Sequence, residues 1–185
     1  MVYHDELLTD FSDPSFQTAF RAYFGELGCR VTNWEGLFAG MCEIGRDYTW
    51  MRRDEAGQVT TFLSGMDAQE RDYAWVRRDD TGRVTGFIQF TPMHMGSWFF
   101  RVKCGFVREF WIAPDERGRG HGSALLRLAE DWLRTQGCSF VLLTTDTAPE
   151  FYRRRGYRLQ AGIEARNRDA VYVRTLEAGC GDGLC

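Results

Sequence analysis

Apolar residues near the N-terminus recur at the spacing of an amphipathic helix. Over residues 13–27, large side chains three or four positions apart form one apolar stripe: Phe16, Phe20, Tyr23, Phe24 and Leu27. Asp13 is a suitable N-cap, and Pro14 fits the first helical position. A second, shorter helix is predicted to begin after Asn33, which has the side chain of an N-cap. The pattern therefore predicts that residues 1–45 are mainly helical.

A duplicated segment follows. Residues 46–65 and 71–90 align without gaps at an offset of 25, and 11 of the 20 aligned positions are identical. Each copy has alternating aromatic residues, then Asp-x-x-Gly, then Val-Thr-x-Phe, which is the pattern of a β-hairpin. Two copies are too few for a solenoid. We therefore predict that residues 46–90 form one hairpin copied once within a sheet.

Strand and helix patterns alternate over the rest of the chain. The predicted elements are a strand over 97–113, a helix over Ser123–Arg134, a strand over Phe140–Thr144, a short helix over Pro149–Arg155, and strands over 157–159 and 170–176. The apolar run from Cys104 to Ile112 is typical of a central strand with both faces covered. With the hairpins before it, this order predicts an α+β fold with a mixed, mostly antiparallel sheet and helices on both faces.

Composition narrows the class of protein. The chain has 185 residues, of which 44% are hydrophobic and 26% charged, as expected for one soluble globular domain. A net charge of -3 gives no bulk attraction to nucleic acid or to an anionic membrane, so neither is expected as a partner. We find no secretory signal and no apolar run of the ~20 residues that would span a bilayer. A cytoplasmic location is therefore expected.

The six cysteines follow no metal-binding pattern. No CxxC occurs, and the Gly-rich end of the chain has no nearby histidine to complete a site. We expect free thiols, no metal ion, and a flexible tail over residues 177–185. His94 lies between two methionines, where we predict a flexible loop rather than a soft-metal site.

The strongest chemical signal is a strand–turn–helix segment at residues 110–126. Its turn contains two arginines and three glycines: Arg117, Gly118, Arg119, Gly120 and Gly122. Glycines let backbone N–H groups converge on one point, and the helix N-terminus adds partial positive charge. The segment therefore predicts a phosphate or pyrophosphate site. No Gly-Lys-Ser/Thr follows, and the spacing is not G-x-G-x-x-G, which argues against a P-loop and a dinucleotide site.

The turn resembles a known family signature. The segment from Arg117 to Gly122, RGRGHG, is similar to the R/Q-x-x-G-x-G/A signature of the GNAT superfamily of N-acyltransferases. Downstream, Ala148 and the segment from Phe151 to Tyr157 resemble the second signature of that family, A-x-x-F-Y-x-x-x-G-F. The resemblance covers roughly residues 70–176. It implies a GNAT-like fold, acetyl-CoA as co-substrate, and transfer of an acetyl group to an amine.

The resemblance also implies roles for particular residues. Phe110, Trp111 and Ile112 lie on the strand whose backbone would pair with the pantetheine arm. The loop that would hold the pyrophosphate through its amides comprises Arg117, Gly118, Arg119, Gly120, His121, Gly122 and Ser123. Thr145 stands where many members carry an Asn that contacts the cofactor. The side chain of Thr can also form a hydrogen bond, but it is shorter than that of Asn. Tyr152 corresponds to the tyrosine that protonates the leaving thiolate, and a packed helix aromatic is the alternative.

The acceptor amine must lose a proton before or as it attacks, so a general base is needed. Glu109 is the first candidate, because a carboxylate on an apolar strand tends to a raised pKa. An ion pair with Arg108 or Arg101 is the equally weighted alternative. Asp146 is the second candidate base, although a turn or helix-capping role fits it better.

The sequence leaves several functional questions open. We expect an N-acetyltransferase that acts on a primary amine of a small molecule or a protein. The alternatives are a non-catalytic acyl-CoA-binding regulatory module and a transferase for another acyl-CoA. Trp98, Phe99 and Phe100 are expected in the core rather than in an acceptor pocket. The duplicated hairpin extends the sheet, covers the acceptor site or forms the interface of a homodimer.

Overall fold

The architecture is taken from a computed structural model, which describes residues 2–42, 50–53, 59–63, 71–96 and 101–176. The strands are β1 (His4–Leu8), β2 (Trp50–Arg53), β3 (Val59–Leu63), β4 (Tyr73–Arg78), β5 (Val84–Gly96), β6 (Arg101–Ile112), β7 (Phe140–Thr144), β8 (Arg158–Leu159) and β9 (Val171–Thr175). The helices are α1 (Pro14–Glu26), α2 (Trp34–Cys42), α3 (His121–Thr135) and α4 (Pro149–Arg153). One 3-10 turn, Pro114–Glu116, lies between β6 and α3.

Seven strands form the main sheet, in the order β1-β4-β5-β6-β7-β9-β8. The β6–β7 pair is parallel, and the other paired strands of this sheet are antiparallel. Strand β6 is the fourth of the seven strands in this order and is therefore the central strand. The predicted fold class, a mixed and mostly antiparallel sheet, is confirmed.

Two apolar layers cover the faces of the sheet. On one face, α1 and α2 pack their aromatic side chains against β4, β5 and β6, with Phe16, Phe20 and Phe87 fully buried. On the other face, α3 packs against the same strands through Leu125, Leu133 and neighbouring residues. Burying a side chain of this size contributes about 1.5–3 kcal/mol, so these layers hold the helices on the sheet.

The predicted helix starts are confirmed in α1 and α2. Asp13 Oδ1 accepts a hydrogen bond from the Phe16 backbone N–H at 2.6 Å, and Pro14 occupies the first turn. Asn33 Oδ1 accepts from the Gly36 backbone N–H at 2.8 Å. Each cap satisfies a donor that would otherwise have no partner within its helix.

The two copies of the duplicated segment are hairpins with the same pairing register. Trp50 pairs with Leu63, and its counterpart Trp75 pairs with Ile88, 25 residues further along both strands. An irregularity also falls at the same place, between Arg52 and Arg53 in one copy and at the equivalent step in the other. The prediction of one shared sheet is wrong, however, because β2 and β3 form a separate two-stranded sheet.

The structure differs from the sequence prediction at two further places. Strand β1 pairs with β4 along the edge of the sheet. It was not predicted, because His4–Leu8 has no alternation of apolar and polar residues. The expected loop around His94 is instead the end of β5, where His94 pairs with Lys103 of β6. Pro92 is accommodated there although it lacks the N–H that other strand residues donate.

Some predictions concern residues outside the described ranges. They include the expected core position of Trp98, Phe99 and Phe100, and the tail over 177–185 with its two cysteines. Four cysteines are described, and all are free thiols: Cys29, Cys42, Cys104 and Cys138. In the described part of the chain, no helix has both the length and the apolarity to cross a bilayer.

Candidate active site

The glycine-rich turn between β6 and α3 has a left-handed backbone at two positions. Gly118 has a φ of 79° and Gly120 a φ of 88°. Gly120 is the N-cap of α3, and no side chain caps the helix there. The first amides of α3 are therefore not covered by a capping side chain, which is the arrangement that helix N-termini use to bind phosphate groups.

Gly122 brings the first turn of α3 close to α4. A Cβ atom at this position would lie 3.3 Å from two carbons of the Phe151 ring and 3.6 Å from the Phe110 ring. A larger side chain would fill the space between the loop and α4. The third glycine of the turn is thus explained by close packing rather than by its φ angle.

The central strand separates from its parallel neighbour next to this turn. Pairing between β6 and β7 covers Gly105 to Val107, and β6 then continues for five more residues to Ile112. The β7-facing edge of that extension pairs with no described strand. The rings of Phe110 and Phe151, 5.8 Å apart, lie across the gap. The end of β6 that carries Phe110, Trp111 and Ile112 is therefore splayed away from β7.

A β-bulge lies just before the splayed part of β6. Gln89 pairs with Glu109 and Phe90 pairs with Val107, so Arg108 is the extra residue. Arg108 Nη1 lies 3.4 Å from Asp72 Oδ1, and both side chains are buried. Bulges bend a strand and redirect its side chains. Here Arg108 pairs with Asp72 and leaves Glu109 to another partner.

That partner is Tyr23 of α1. Tyr23 Oη donates a hydrogen bond of 2.7 Å to Glu109 Oε2. The Glu109 side chain keeps some exposed surface, but protein surrounds its carboxylate, and this desolvation raises its pKa to about 7. The Tyr23 hydrogen bond and the Arg108 charge oppose the rise. No described cation lies within ion-pair distance of Glu109, so the ion pair with Arg108 or Arg101 is not formed.

Tyr152 lies in α4 with only 7% of its surface exposed. Its ring packs edge-on against Phe151 and Tyr157. Burial raises the pKa of Tyr152, and the negative charge of Glu109 raises it further. The phenol therefore keeps its proton at neutral pH.

A family model described as the acetyltransferase (GNAT) family matches residues 39–157. The chain belongs to this family. The match spans the second hairpin, the splayed strand, the glycine turn and α4, which are the elements that form the site. No curated protein matches the chain at a significant level.

Solved structures share the fold at low sequence identity. A GNAT-family protein from Desulfovibrio desulfuricans matches 95% of this chain and 99% of its own, with 15% identity and a TM-score of 0.61. The N-acetylglutamate synthase of Neisseria gonorrhoeae, solved with coenzyme A and N-acetyl-glutamate, matches 94% of this chain and 35% of its own, with 14% identity and a TM-score of 0.59. A mutant AtaT toxin bound to the C-terminus of the antitoxin AtaR and to acetyl-CoA matches 95% and 94%, with 13% identity and a TM-score of 0.56.

Within this GNAT domain, the loop arginines are engaged with carboxylates. Arg117 Nη2 donates to Glu26 Oε2 at 2.5 Å, and its Nε donates to the Ile112 carbonyl at 2.9 Å. Glu26 also accepts from Trp111 Nε1 at 2.9 Å. Arg119 Nη1 donates to Glu116 Oε2 at 3.0 Å. Arg117 thus ties the splayed strand to α1, and its charge is already compensated.

The side chain of His121 lies in a buried network. Its Nδ1 accepts a hydrogen bond from Arg77 Nη1 at 2.8 Å, and its ring lies 4.4 Å from that of Tyr3. Arg77 in turn donates two hydrogen bonds to Asp5, of 2.7 and 2.6 Å. Glu116 lies 3.3 Å from His121 Nε2. The network connects β1 and β4 to the loop and engages the imidazole of His121.

Three other predicted residues have different surroundings. Thr145 is buried, and its Oγ1 accepts a hydrogen bond from the Ala148 backbone N–H at 3.1 Å, which leads the chain into α4. Asp146 is exposed in the turn after β7. The Ser123 hydroxyl accepts a hydrogen bond from Arg155. Thr145 and Asp146 therefore fit structural positions, while Ser123 lies beside the loop.

Tyr23 is the residue at the site that sequence reasoning missed. It was assigned only to the apolar stripe of α1. A tyrosine among phenylalanines on a buried face needs a partner for its hydroxyl, and this was the available signal. The identity of that partner required the fold, because Glu109 is 86 residues away in sequence.

Proposed function

We propose that this GNAT-family protein is a cytoplasmic enzyme that transfers the acetyl group of acetyl-CoA to a primary amine. The observation that carries the proposal is the Glu109 carboxylate, held by Tyr23 beside the splayed strand with a pKa raised to about 7. A base with that pKa is half deprotonated near neutral pH and still able to accept a proton from an ammonium group. A module that only binds acyl-CoA does not require such a group.

Binding of acetyl-CoA is supported by the shape of the turn and the strand. The amides of Gly118 to Ser123, at the start of α3, provide donors for the pyrophosphate. The β7-facing edge of Phe110 to Ile112 provides backbone groups for the amide-containing pantetheine arm. No group of three potential ligands in the described residues is placed to hold a metal ion. The proposal requires none.

In the transfer step, Glu109 takes the proton of the acceptor amine as its nitrogen attacks the thioester carbonyl carbon. A backbone N–H of β6, at Trp111 or Ile112, donates to the developing oxyanion. The carbon–nitrogen bond forms as the carbon–sulfur bond breaks, and the products are an amide and CoA.

Tyr152 stabilises the leaving sulfur in this proposal. Its pKa is raised above the usual tyrosine value, whereas an ordinary thiol has a pKa of about 8.5. Complete proton transfer from Tyr152 to the thiolate is therefore uphill, while a hydrogen bond from Oη to sulfur is favourable. We accordingly assign Tyr152 as a hydrogen-bond donor to the leaving group.

The experiment is thiol release from acetyl-CoA in the presence of a panel of primary amines, small molecules and peptides, with each amide product identified by mass spectrometry. Amine-dependent release with matching amide formation is expected. Tight acetyl-CoA binding without turnover on any amine would support the regulatory module instead. Faster turnover with succinyl-CoA than with acetyl-CoA would assign another acyl donor.

A further inference from the structure

A buried polar cluster, formed by the side chains of Asp72, Gln89, Thr91 and Arg108, lies beside Glu109. Gln89 of β5 is the direct partner of Glu109 across the β5–β6 pair. Residues opposite each other on antiparallel strands have their side chains on the same face, with Cβ atoms about 4.5–5.5 Å apart. Gln89 is fully buried, and the proposed transfer step does not use it.

The carboxamide of Gln89 is oriented by Asp72. Its Nε2 donates a hydrogen bond of 2.8 Å to Asp72 Oδ2. The other carboxylate oxygen of Asp72 accepts from the Thr91 hydroxyl and lies 3.4 Å from Arg108 Nη1. An ionised carboxylate has only acceptor atoms, so it binds the nitrogen of a carboxamide and not its oxygen. The chemistry of Asp72 therefore determines which way the Gln89 carboxamide faces.

The oxygen of that carboxamide has different surroundings. Gln89 Oε1 is buried and has no hydrogen-bond partner among the described residues. Gln89 lies between Ala74 of β4 and Glu109 of β6. Because Asp72 directly precedes β4, the amide nitrogen points toward the β4 side and the oxygen toward the β6 side, where Glu109 lies. A buried oxygen without a donor is unfavourable, which indicates that another state of the site supplies one.

We propose that Gln89 is a positioning residue for Glu109, and that its Oε1 accepts a hydrogen bond from the Glu109 carboxyl group once that group is protonated. The inference rests on the proposed function, in which Glu109 takes a proton from the acceptor amine. Tyr23 donates to the charged form of Glu109, and the neutral form donates to Gln89. The proton that leaves the amine nitrogen thus stays on a Glu109 oxygen until it passes to solvent before the next turnover.

The other groups around Glu109 determine the direction of the expected effect. Burial and the charge of Asp72 favour the neutral form of Glu109, whereas Arg108 favours the charged form. Tyr152 of α4 has a pKa raised by burial and by the charge of Glu109, so its phenol is neutral. The negative end of the Gln89 carboxamide adds to the effects that favour neutral Glu109. Removing it should therefore lower the pKa of Glu109.

The test follows the side-chain carboxyl and carboxamide carbons by NMR as pH is varied, in protein labelled at glutamate and glutamine. In the unmodified protein, the signal that Glu109→Gln removes should titrate at a pH of about 7, and the Gln89 carboxamide signal should change with the same midpoint. Gln89→Met keeps the length of the side chain and removes the oxygen. In this variant the Glu109 midpoint should fall from about 7 to about 6, the size of change expected for the loss of one hydrogen bond.

Thr91→Val is the matched control. It also removes a donor to Asp72, but it keeps the Gln89 carboxamide and the donor that orients it. A general disturbance of the cluster would affect both variants, so the Glu109 midpoint should stay at about 7 in this one. Should Gln89→Met fail to fold, the shared midpoint in the unmodified protein and the loss of the Gln89 titration in Glu109→Gln decide the question.

An unchanged or higher Glu109 midpoint in Gln89→Met would overturn the inference, as would an equal fall in Thr91→Val. A Gln89 signal that does not titrate would also overturn it, and would mean that Oε1 binds only an ordered water. The outcome for the proposed function is separable. The predicted midpoints without amide formation on any amine would support the Gln89–Glu109 contact and contradict the enzyme. Amide formation with the same pH profile in the unmodified protein and in Gln89→Met would do the reverse.

Discussion

At position 109, a carboxylate lies on the central strand with a phenol from α1 as its hydrogen-bond partner. Its pKa of about 7 comes first from burial. A base acts in its deprotonated form, so activity that depends on Glu109 should rise with pH and level off above about 7. Burial disfavours the charged form of the carboxylate. The rise in activity should therefore fall near neutral pH instead of near the usual pKa of glutamate.

Glu109→Gln should therefore lower kcat by about a hundredfold, the usual contribution of a general base, with little change in acetyl-CoA affinity. The glutamine keeps an oxygen that accepts from Tyr23, so the packing is matched. The measurement is kcat against pH with an acceptor whose own pKa lies outside the range scanned. A variant that retains the same rise near pH 7 would show that another group is the base.

Tyr152→Phe removes the hydroxyl and keeps the ring that packs against Phe151 and Tyr157. Loss of one hydrogen bond to a charged sulfur should lower kcat roughly ten- to a hundredfold. The check is to compare acetyl-CoA with an acyl donor that has a better leaving group. The variant should lose less activity with the second donor, and an equal loss with both would point to a packing role.

Residue types at the site were more predictable than their partners. Glu109 and Tyr152 could be selected because a carboxylate in an apolar strand and a tyrosine in a family signature are unusual in sequence. The Tyr23–Glu109 bond could not be predicted, since α1 and β6 meet only through the sheet. The side chain of His121 was equally unpredictable, because its direction depends on Arg77 and on Asp5 of a strand that was not foreseen.

At the scale of elements, the turn before α3 depends on a left-handed residue at Gly120. Gly120→Glu adds backbone strain of about 1–2 kcal/mol and places a carboxylate at the proposed phosphate site. We expect acetyl-CoA affinity to fall by about a hundredfold or more, because like charges repel strongly at this range. Calorimetric titration measures the loss.

Gly162→Glu is the control for this change. Gly162 also has a positive φ, of 80°, and no atom lies within 4 Å of an added Cβ at either position. It lies in the connection between β8 and β9, so it should reproduce the strain without the loss of affinity. If the two substitutions lowered acetyl-CoA affinity equally, the assignment of the glycine turn as the pyrophosphate site would be wrong.

Strand β1 is connected to the glycine turn through side chains: Asp5 accepts from Arg77, and Arg77 donates to His121. Asp5→Ala would leave the mostly buried Arg77 guanidinium unpaired, at a cost of about 1–3 kcal/mol in the free energy of unfolding. Acetyl-CoA affinity should fall as well, because Arg77 also holds His121. Denaturant unfolding and calorimetric titration measure the two effects.

Glu6→Ala is the comparison, since Glu6 is exposed on the same strand and pairs with Arg78. An exposed pair of this kind contributes about 0–1 kcal/mol. If the two alanine variants proved equally stable and bound acetyl-CoA equally well, β1 would have no part in holding the turn.

Elements were predictable where local periodicity is strong. The stripe in α1, the amphipathic face of α3 and the Asp-x-x-Gly turns each follow from nearby residues. The edge strand β1 was not predictable, because His4–Leu8 gains its conformation from pairing with β4 rather than from its own pattern. The separation of the two hairpins also could not be foreseen. The two hairpins have similar sequences, and the strands within each hairpin pair in the same register. That similarity does not determine which sheet each hairpin joins.

At the scale of the whole molecule, the site depends on the order of strands. The parallel partner of β6 leaves it after Val107, and α1, α3 and α4 then converge on the part of β6 that does not pair with β7. Through the two family signatures, the sequence placed the candidate site at the end of β6, the glycine turn and α4. The physical pattern alone predicts a phosphate site, whereas the separation of β6 from β7 and the contact between Tyr23 and Glu109 follow only from how distant segments pack.

The proposed reaction requires that the splayed strand and the glycine turn present acetyl-CoA to an amine beside Glu109. The most direct measurement is a single-turnover reaction with acetyl-CoA carrying a labelled acetyl group, followed by mass spectrometry of the acceptor and the protein. We predict label on the amine nitrogen, no acetylated protein intermediate, and strong slowing in Glu109→Gln. Label first on a side chain of the protein, or an unchanged rate in that variant, would contradict it.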